Sequence, residues 1–204
     1  MKKRMYLSAS MLFMAVLFQS CDLFDFLKDE QTDPEKTMGK VGNYWTLSCT
    51  GYPDSKVTID SNKDGNVVGS YIYNGKTYQL EGKFTDKAIY DYVYSNGDKK
   101  KPFTLVNFDA EVGDQWEFKV GTQTVVRKVV HKSAEDDTFY GMLMIKTIDV
   151  EETIPSGLQV KGAASPFTKI LWKFNHKFGF IMATGTKTNA SIVNLYSYTT
   201  NADD

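Results

Sequence analysis

Residues 55–84, SKVTIDSNKDGNVVGSYIYNGKTYQLEGKF, decide the fold of this chain. Three segments within this stretch are rich in β-branched and aromatic residues, and they predict strands at 55–60, 66–73 and 76–82. The dipeptides Asp64-Gly65 and Asn74-Gly75 separate the three segments, and both tolerate the positive φ of tight hairpin turns. The stretch therefore predicts neighbouring strands that pair antiparallel.

The same pattern continues on both sides of this stretch. Further strands are predicted at 43–50, 87–95, 102–108, 115–120, 123–132, 138–150, 168–175, 178–184 and 190–199. No segment after Phe26 has a helical period, and residues 151–166, with two Pro and two Gly, predict a long connection. The sequence thus predicts a single all-β domain over 37–204. We expect an antiparallel sheet of about a dozen strands, in a half-barrel, barrel or sandwich.

The composition excludes several classes of protein. Hydrophobic residues make up 42% and charged residues 24% of the chain, which is typical of a globular protein. Twenty-four basic and 25 acidic side chains nearly cancel, so the chain lacks the basic surface that nucleic acids require. Two cysteines and two histidines are too few for a disulfide framework or a closed zinc site. We therefore predict no nucleic-acid partner, no metal and no cofactor.

The N-terminus has the features of an export signal. Three basic residues at 2–4 precede the apolar run 5–18, which is shorter than the roughly 18–20 residues that span a bilayer. The run ends in Phe18-Gln19-Ser20-Cys21, which resembles a relaxed bacterial lipobox. Residues 1–20 are therefore predicted to be a lipoprotein signal peptide, with lipid attached to Cys21. The alternative is ordinary secretory cleavage near Ser20, which would leave the thiol unmodified.

Residues 21–36 are predicted to be an acidic tether. Six acidic side chains oppose two lysines there: Asp22, Asp25, Asp29, Glu30, Asp33 and Glu35 against Lys28 and Lys36. An acidic stretch after the lipidated cysteine resembles the export signal of surface lipoproteins in Bacteroidetes-type bacteria, although a solvated spacer would have the same composition. The predicted location is the bacterial outer membrane, with the domain facing the periplasm or the cell exterior. Four apolar residues near Cys21 can lie at the lipid interface: Leu23, Phe24, Phe26 and Leu27.

Two further segments carry a family resemblance. The run Val112-Gly113-Asp114-Gln115-Trp116 resembles the Val-Gly-Asp-x-Trp turn of uncharacterised Bacteroidetes-type outer-membrane lipoproteins. Residues 154–157 and 177–181 are similar to a second element of those proteins. The resemblance implies a concave or barrel-like antiparallel sheet, as in the half-barrels of periplasmic lipoprotein carriers, and it implies no catalytic residue.

A search for catalytic motifs favours a protein that is not an enzyme. The chain has no Gly-x-Ser-x-Gly elbow, phosphate loop, dinucleotide fingerprint or His-Glu-x-x-His motif. Its two histidines, His131 and His176, are predicted at a strand end and in a hairpin turn. The residues from Asp60 to Gly65 match the first half of a calcium loop, but the twelfth position is Tyr71 where a glutamate is required. A hairpin tip explains this stretch better, and the alternative is a shortened calcium site that another loop closes.

Tyrosines provide the candidate binding residues. Tyr90, Tyr92 and Tyr94 are spaced by two, so on one strand they would share a face, and Tyr71 and Tyr73 would do the same on a nearby strand. Exposed rings of this kind can stack on a ligand such as a glycan, whereas buried rings would only stabilise the sheet.

The core residues follow from the same alternation. Ile89 and Val93 are predicted on the opposite, core face of the tyrosine strand, and Asp91 would then point inward between them. Three tryptophans in predicted strands are also expected in the core: Trp45, Trp116 and Trp172. Cys49 alternates with Trp45 and predicts a buried thiol.

These observations favour a membrane-anchored lipoprotein that acts as a non-enzymatic binding module. Its predicted ligand is a glycan, a peptide or another molecule available in the cell envelope. The alternative is a lipoprotein that binds other proteins, such as an immunity protein, an inhibitor or an accessory subunit of an envelope complex.

The lipid at Cys21 provides the first testable prediction. We expect Cys21→Ser to move the protein from the membrane fraction to the soluble fraction, because covalent acyl chains supply most of the free energy of anchoring. Fractionation followed by mass spectrometry of the N-terminal peptide measures this change. Unchanged membrane association, with no lipid on the wild-type peptide, would contradict the prediction.

Overall fold

The computed structural model describes residues 38–73, 75–160 and 162–199, with the side chain of Tyr73 excepted. All of them belong to the compact unit Thr32–Asp204. Within these ranges there is no helix, and 62% of the residues lie in strands. The same ranges accordingly hold no apolar helix of membrane-spanning length.

Sixteen strands are present in the described residues. They are β1 (Tyr44–Cys49), β2 (Ser55–Lys63), β3 (Asn66–Tyr73), β4 (Lys76–Phe84), β5 (Ala88–Asp91), β6 (Phe103–Asn107), β7 (Gln115–Val120), β8 (Gln123–Lys132), β9 (Thr138–Tyr140), β10 (Leu143–Ile145), β11 (Ile148–Thr153), β12 (Gln159–Val160), β13 (Ala163–Ala164), β14 (Phe167–Asn175), β15 (Gly179–Lys187) and β16 (Ile192–Thr199).

Twelve of these strands form one antiparallel sheet that is nearly closed into a barrel. The strand order is β6-β5-β4-β3-β2-β1-β16-β15-β14-β11-β8-β7. The first and last strands of the described residues, β1 and β16, are paired in the middle of this order, with Trp45 opposite Thr199. The edges are β6 and β7. The predicted all-β antiparallel fold is confirmed, and among the predicted architectures the barrel describes it best.

Side chains hold the seam between the two edge strands. The indole Nε1 of Trp116 on β7 donates a hydrogen bond to the carbonyl oxygen of Thr104 on β6, and Arg127 Nη1 donates to the same oxygen over 3.0 Å. Because an unpaired strand edge exposes backbone groups that need partners, these donors satisfy part of the β6 edge.

The two ends of the barrel differ. We call the end where β1 begins and β16 finishes the terminal end, and the opposite end the loop end. Because successive paired strands reverse direction, the turns at 64–65 and 176–178 and the segment 133–147 lie at the terminal end. The segments 50–54, 92–102 and 154–166 lie at the loop end.

Three predicted elements need correction. The predicted strand 138–150 is three strands, because the chain turns at Gly141 with φ of 62° and β9 pairs with β10 in a separate hairpin. The predicted connection 151–166 contains the end of β11 and a short hairpin of β12 and β13. The predicted strand 87–95 stops at Asp91, whose Oδ1 accepts the backbone N–H of Val93 and starts a turn.

The predicted hairpin turns agree with the structure at two sites. Asp64 and Gly65 both have positive φ, 52° and 78°, and the Asn62 side chain accepts the Gly65 N–H. At the Val-Gly-Asp-x-Trp run, Gly113 has φ of 104° and Asp114 Oδ2 accepts the Glu111 N–H. Asp64-Gly65 therefore has the positive φ that its sequence predicts, and a side chain accepts a backbone N–H in each of the two turns.

The barrel interior is packed at the terminal end. Met38 and Trp45 are buried there, and the Trp45 indole donates to the carbonyl oxygen of Phe178. Trp116 and Trp172 are half-buried and pack against the core. The predicted burial of Trp45 is thus confirmed. Cys49, the last residue of β1, is half-buried, so the prediction of a buried thiol is wrong.

Gly69 lies where the backbones of β2 and β3 are in close contact. A Cβ on Gly69 would lie 2.8 Å from the backbone oxygen of Thr58, and the backbone of a paired strand cannot move away easily. We expect Gly69→Ala to cost about 1–3 kcal/mol in the free energy of unfolding, measured by urea denaturation. Ser70→Ala is the matched control: it removes one exposed hydrogen bond to Asp60, and its expected cost is within about 0.5 kcal/mol. Equal effects of the two substitutions would contradict this prediction.

Candidate functional site

A cavity of about 900 Å³ lies inside the barrel. Its wall is mainly apolar and aromatic, with Leu47, Val57, Ile59, Phe84 and Phe180 among its lining residues. The exposed lining residues Leu80 and Val93, together with Asn96 and Gly97, mark its opening between β4 and the segment 92–102. The cavity therefore opens beside a loop-end segment.

One charged side chain projects into this interior from β8. Along β8, the side chains of Val125, Arg127 and Val129 are all buried, whereas the residues between them face outward. Glu152 on β11 is directly opposite Arg127 in the strand register, and only 2% of each residue is exposed. The alternation of the strands thus places a guanidinium and a carboxylate together inside the barrel.

Arg127 makes hydrogen bonds to three strands besides its own. Its Nε lies 2.6 Å from Glu152 Oε2 on β11, and its Nη2 lies 2.6 Å from Asp91 Oδ2 on β5. Its Nη1 donates to Thr104 on the edge strand β6. The Phe103 ring covers the guanidinium, with its centroid 4.1 Å from Cζ. Arg127 therefore links β8, β11, β5 and β6 across the seam.

The carboxylates in this group have further donors. Tyr94 Oη donates to Glu152 Oε1 over 2.5 Å, and Trp172 Nε1 donates to Glu152 Oε2 over 3.3 Å. Asp91 Oδ1 accepts the Val93 N–H over 3.1 Å. We call Arg127, Asp91, Glu152 and Tyr94 the buried charge cluster. All four residues line the cavity.

In the buried charge cluster one guanidinium faces two carboxyl groups, so the single cation of the cluster is already paired within the protein. Burial raises the pKa of Asp91, although the Arg127 charge opposes that change. Burial lowers the pKa of Arg127, but Asp91 and Glu152 outweigh this effect and keep the guanidinium charged. Burial and the Glu152 carboxylate raise the pKa of Tyr94, so its hydroxyl stays a neutral donor. The cluster therefore favours a neutral or cationic ligand group over an anionic one.

The predicted tyrosine face is not formed as an exposed surface. Tyr92 is only 4% exposed, and Tyr90 and Tyr94 are half-buried. The three tyrosines do not share one strand, because β5 ends at Asp91 and the Asp91 carboxylate accepts the Val93 N–H in the turn that follows. All three tyrosines nevertheless lie on the wall of the cavity.

Of the other predictions near this strand, some agree with the structure and one is wrong. Ile89 is buried as predicted, whereas Val93 is 44% exposed, so its assignment to the core is wrong. Asp91 does point inward, where Arg127 is its partner. Tyr71 packs against the core and against the Tyr78 ring, at 6.1 Å between centroids. The side chain of Tyr73 and all of Cys21 lie outside the described residues.

Arg127 and Glu152 are functional candidates that the sequence analysis missed. Arg127 alternates with Val125 and Val129 in a valine-rich strand, so it lies on the same face as these two apolar residues. A charged residue on an otherwise apolar strand face is the signal that could have identified it. The predicted inward direction of the Asp91 side chain was a second sign, because a buried carboxylate needs a cation nearby.

The histidines lie outside the cavity lining. His131 is half exposed, with its ring nitrogens 3.9 Å from Asp137 and 4.0 Å from Asp149. The His176 ring contacts the Phe108 ring, at 6.4 Å between centroids. In the part of the chain that the structure describes, no group of three or more His, Cys, Asp or Glu residues could hold a metal ion.

Comparison with known proteins gives no match: neither a protein-family model, nor a curated protein, nor a solved structure is similar to this chain.

Arg127 provides a prediction on stability. We expect Arg127→Met to cost about 3–5 kcal/mol in the free energy of unfolding at neutral pH, because it leaves two buried carboxylates without their cation. Burial raises the pKa of Asp91 in the folded chain, so the stability that comes from its protonation is present in acid and is lost as pH rises through the raised pKa. The Arg127 charge opposes this rise, so Arg127→Met raises the pKa of Asp91 further and the folded variant neutralises that carboxylate as pH falls. The cost of Arg127→Met should therefore shrink as pH falls.

The matched control removes the carboxylate charges together with the cation. The triple variant Arg127→Met, Asp91→Asn, Glu152→Gln should recover much of the lost stability at neutral pH, and its stability relative to wild type should depend less on pH. Urea denaturation at several pH values measures both effects. A pH-independent cost of Arg127→Met would contradict the role assigned to these charges.

Proposed function

We propose that this chain is a lipid-anchored, non-enzymatic binding protein whose barrel holds an apolar or amphipathic small molecule. The observation that carries the proposal is the cavity of about 900 Å³ with its mainly apolar wall. Sites for small molecules are typically concave, largely apolar and about 300–1,000 Å³ in volume, with a few polar groups that orient the ligand. The anchor and the outer-membrane location come from the lipobox-like sequence at Cys21 and belong to the same proposal.

The buried charge cluster supports a restriction on the ligand. The guanidinium donates to Glu152, Asp91 and Thr104, so it is engaged within the protein. An anionic group in the cavity would find no unpaired cation in the cluster and would lie beside the Asp91 and Glu152 carboxyl groups, where a buried charge without a partner costs free energy. The proposed ligand therefore has a neutral or cationic polar group.

Two observations support this class of ligand over the others that the sequence suggested. A glycan platform needs exposed aromatic rings, and Tyr92 is buried. Glu152 is engaged with Arg127, Tyr94 and Trp172, which commits its oxygens to structural hydrogen bonds. These contacts favour a binding role over proton transfer. The proposal therefore sets glycans aside and places the ligand among the other small molecules of the cell envelope.

Fluorescent probes test this proposal. The mature chain with Cys21→Ser, purified without detergent, is titrated with the neutral apolar probe N-phenyl-1-naphthylamine and with the anionic probe anilinonaphthalene sulfonate. We expect saturable binding of the neutral probe and weaker binding of the anionic one. Val57→Phe places a ring in the cavity and should weaken binding of the neutral probe by roughly tenfold or more, because a pocket discriminates by about 1–3 kcal/mol for small changes in filled volume.

The matched control is Val130→Phe. Val130 is exposed and is not among the cavity-lining residues, so this substitution adds the same ring without filling the cavity. Unchanged probe binding in this variant, with a loss in Val57→Phe, would locate the probe in the barrel. Equal binding by both variants, or retention of the protein on a glycan array without probe binding, would contradict the proposal.

A further inference from the structure

The hairpin of β9 and β10 presents apolar side chains to solvent. Phe139 is 79% exposed and Met142, next to the turn glycine, is fully exposed. Leu143 and Met144 are exposed as well. We call Phe139, Met142, Leu143 and Met144 the apolar tip. Large apolar side chains grouped in this way on a surface usually mark a site of contact with a partner.

The apolar tip stands on a buried base. Ile145 is packed with Phe178 and Ile181 in a small core cluster, and the Tyr140 ring lies 5.2 Å from the Phe178 ring. The Tyr140 hydroxyl also accepts the backbone N–H of Thr199 at the end of β16. These contacts fix the hairpin to the terminal end of the barrel, so the apolar tip has a defined place there.

The chain leaves the described domain at the same end. Met38 lies against Gly179, where an added Cβ would come within 2.7 Å of the Met38 sulfur, and Gly179 follows Phe178 in the chain. Residues 22–37 join this point to Cys21, and even fully extended they span at most about 53–58 Å. The predicted lipid is therefore tied to the end of the barrel that carries the apolar tip.

We propose that the apolar tip lies in the interface of the bilayer to which Cys21 is anchored. Leu, Met and Phe side chains suit the boundary between headgroups and acyl chains, and tyrosines such as the exposed Tyr198 suit the headgroup level. The exposed Glu135 and Asp136 precede the hairpin, which favours a zwitterionic surface over an anionic one. The inference rests on the anchor of the proposed function, and the cavity ligand has no part in it.

This contact orients the barrel. Two attachments to the membrane, one covalent and one through the apolar tip, hold a protein more firmly and in a more defined orientation than a single flexible tether. The terminal end then faces the lipid, and the loop end, with the segment that borders the cavity opening, faces away from it.

Tryptophan fluorescence in vesicles tests the proposal. The full chain carrying Met142→Trp is produced in bacteria, purified with its lipid and reconstituted in phosphatidylcholine vesicles with or without bromine atoms on the acyl chains. We expect brominated lipid to quench the added tryptophan roughly twofold, because interfacial apolar side chains lie about 5–10 Å into the boundary between headgroups and acyl chains. The unsubstituted chain provides the baseline for Trp45, Trp116 and Trp172.

Tyr52→Trp is the matched control. Tyr52 is 54% exposed in the loop-end segment between β1 and β2, so the added tryptophan should not be quenched. Both substituted side chains are exposed, and circular dichroism confirms that each variant is folded. Selective quenching of Met142→Trp supports the proposal.

Three results would overturn it, each for a different reason. Absence of quenching in vesicle-bound Met142→Trp would overturn the inference and leave the anchor intact. A chain that lacks lipid by mass spectrometry and does not bind vesicles would overturn both. The third result combines three observations: brominated lipid does not quench the added tryptophan, aqueous iodide does not reach it, and the chain sediments as a dimer. This combination would show that a second copy of the chain covers the apolar tip.

Discussion

A guanidinium inside a β-barrel must find acceptors within reach, because a buried cation without partners costs more free energy than a small domain can supply. In this chain Arg127 finds them on three other strands: Glu152 on β11, Asp91 on β5 and Thr104 on the edge strand β6. Those acceptors lie on both sides of the seam. The same contacts therefore draw the two sheet edges together and give the cavity its polar wall.

The fold could be predicted from local signals, whereas the site depended on long-range ones. Turn dipeptides such as Asp64-Gly65 and the alternation of β-branched residues act over a few positions, so they predicted antiparallel strands correctly. The tyrosine face failed because β5 ends at Asp91, whose carboxyl group accepts the local Val93 N–H and also binds Arg127, a residue distant in the chain. No local pattern shows that Arg127 and Asp91 are in contact. The alternation of each strand shows only that each side chain points inward.

The two ends of the barrel differ in chemistry. At the terminal end Met38 and Trp45 fill the interior, and the hairpin of β9 and β10 packs against the outside through Tyr140. The cavity extends from Met38 and Trp45, which line it, to the exposed segment that follows β5. In our proposals, the filled end contacts the membrane and the open end admits a ligand, so anchoring and binding use separate parts of one sheet.

The strands nearest the two chain ends, among the described residues, lie in the middle of the sheet and not at its edges. The hydrogen-bonded ladder runs without interruption from β1 to β16, although these strands are at opposite ends of the described residues. The break in the ladder falls between β6 and β7, which are neighbours in the chain and are joined through the exposed Val112. A circular permutant that links Thr199 to Met38 and begins at Val112 would thus keep every strand pair of the barrel, and its chain order would follow the spatial order of the main sheet.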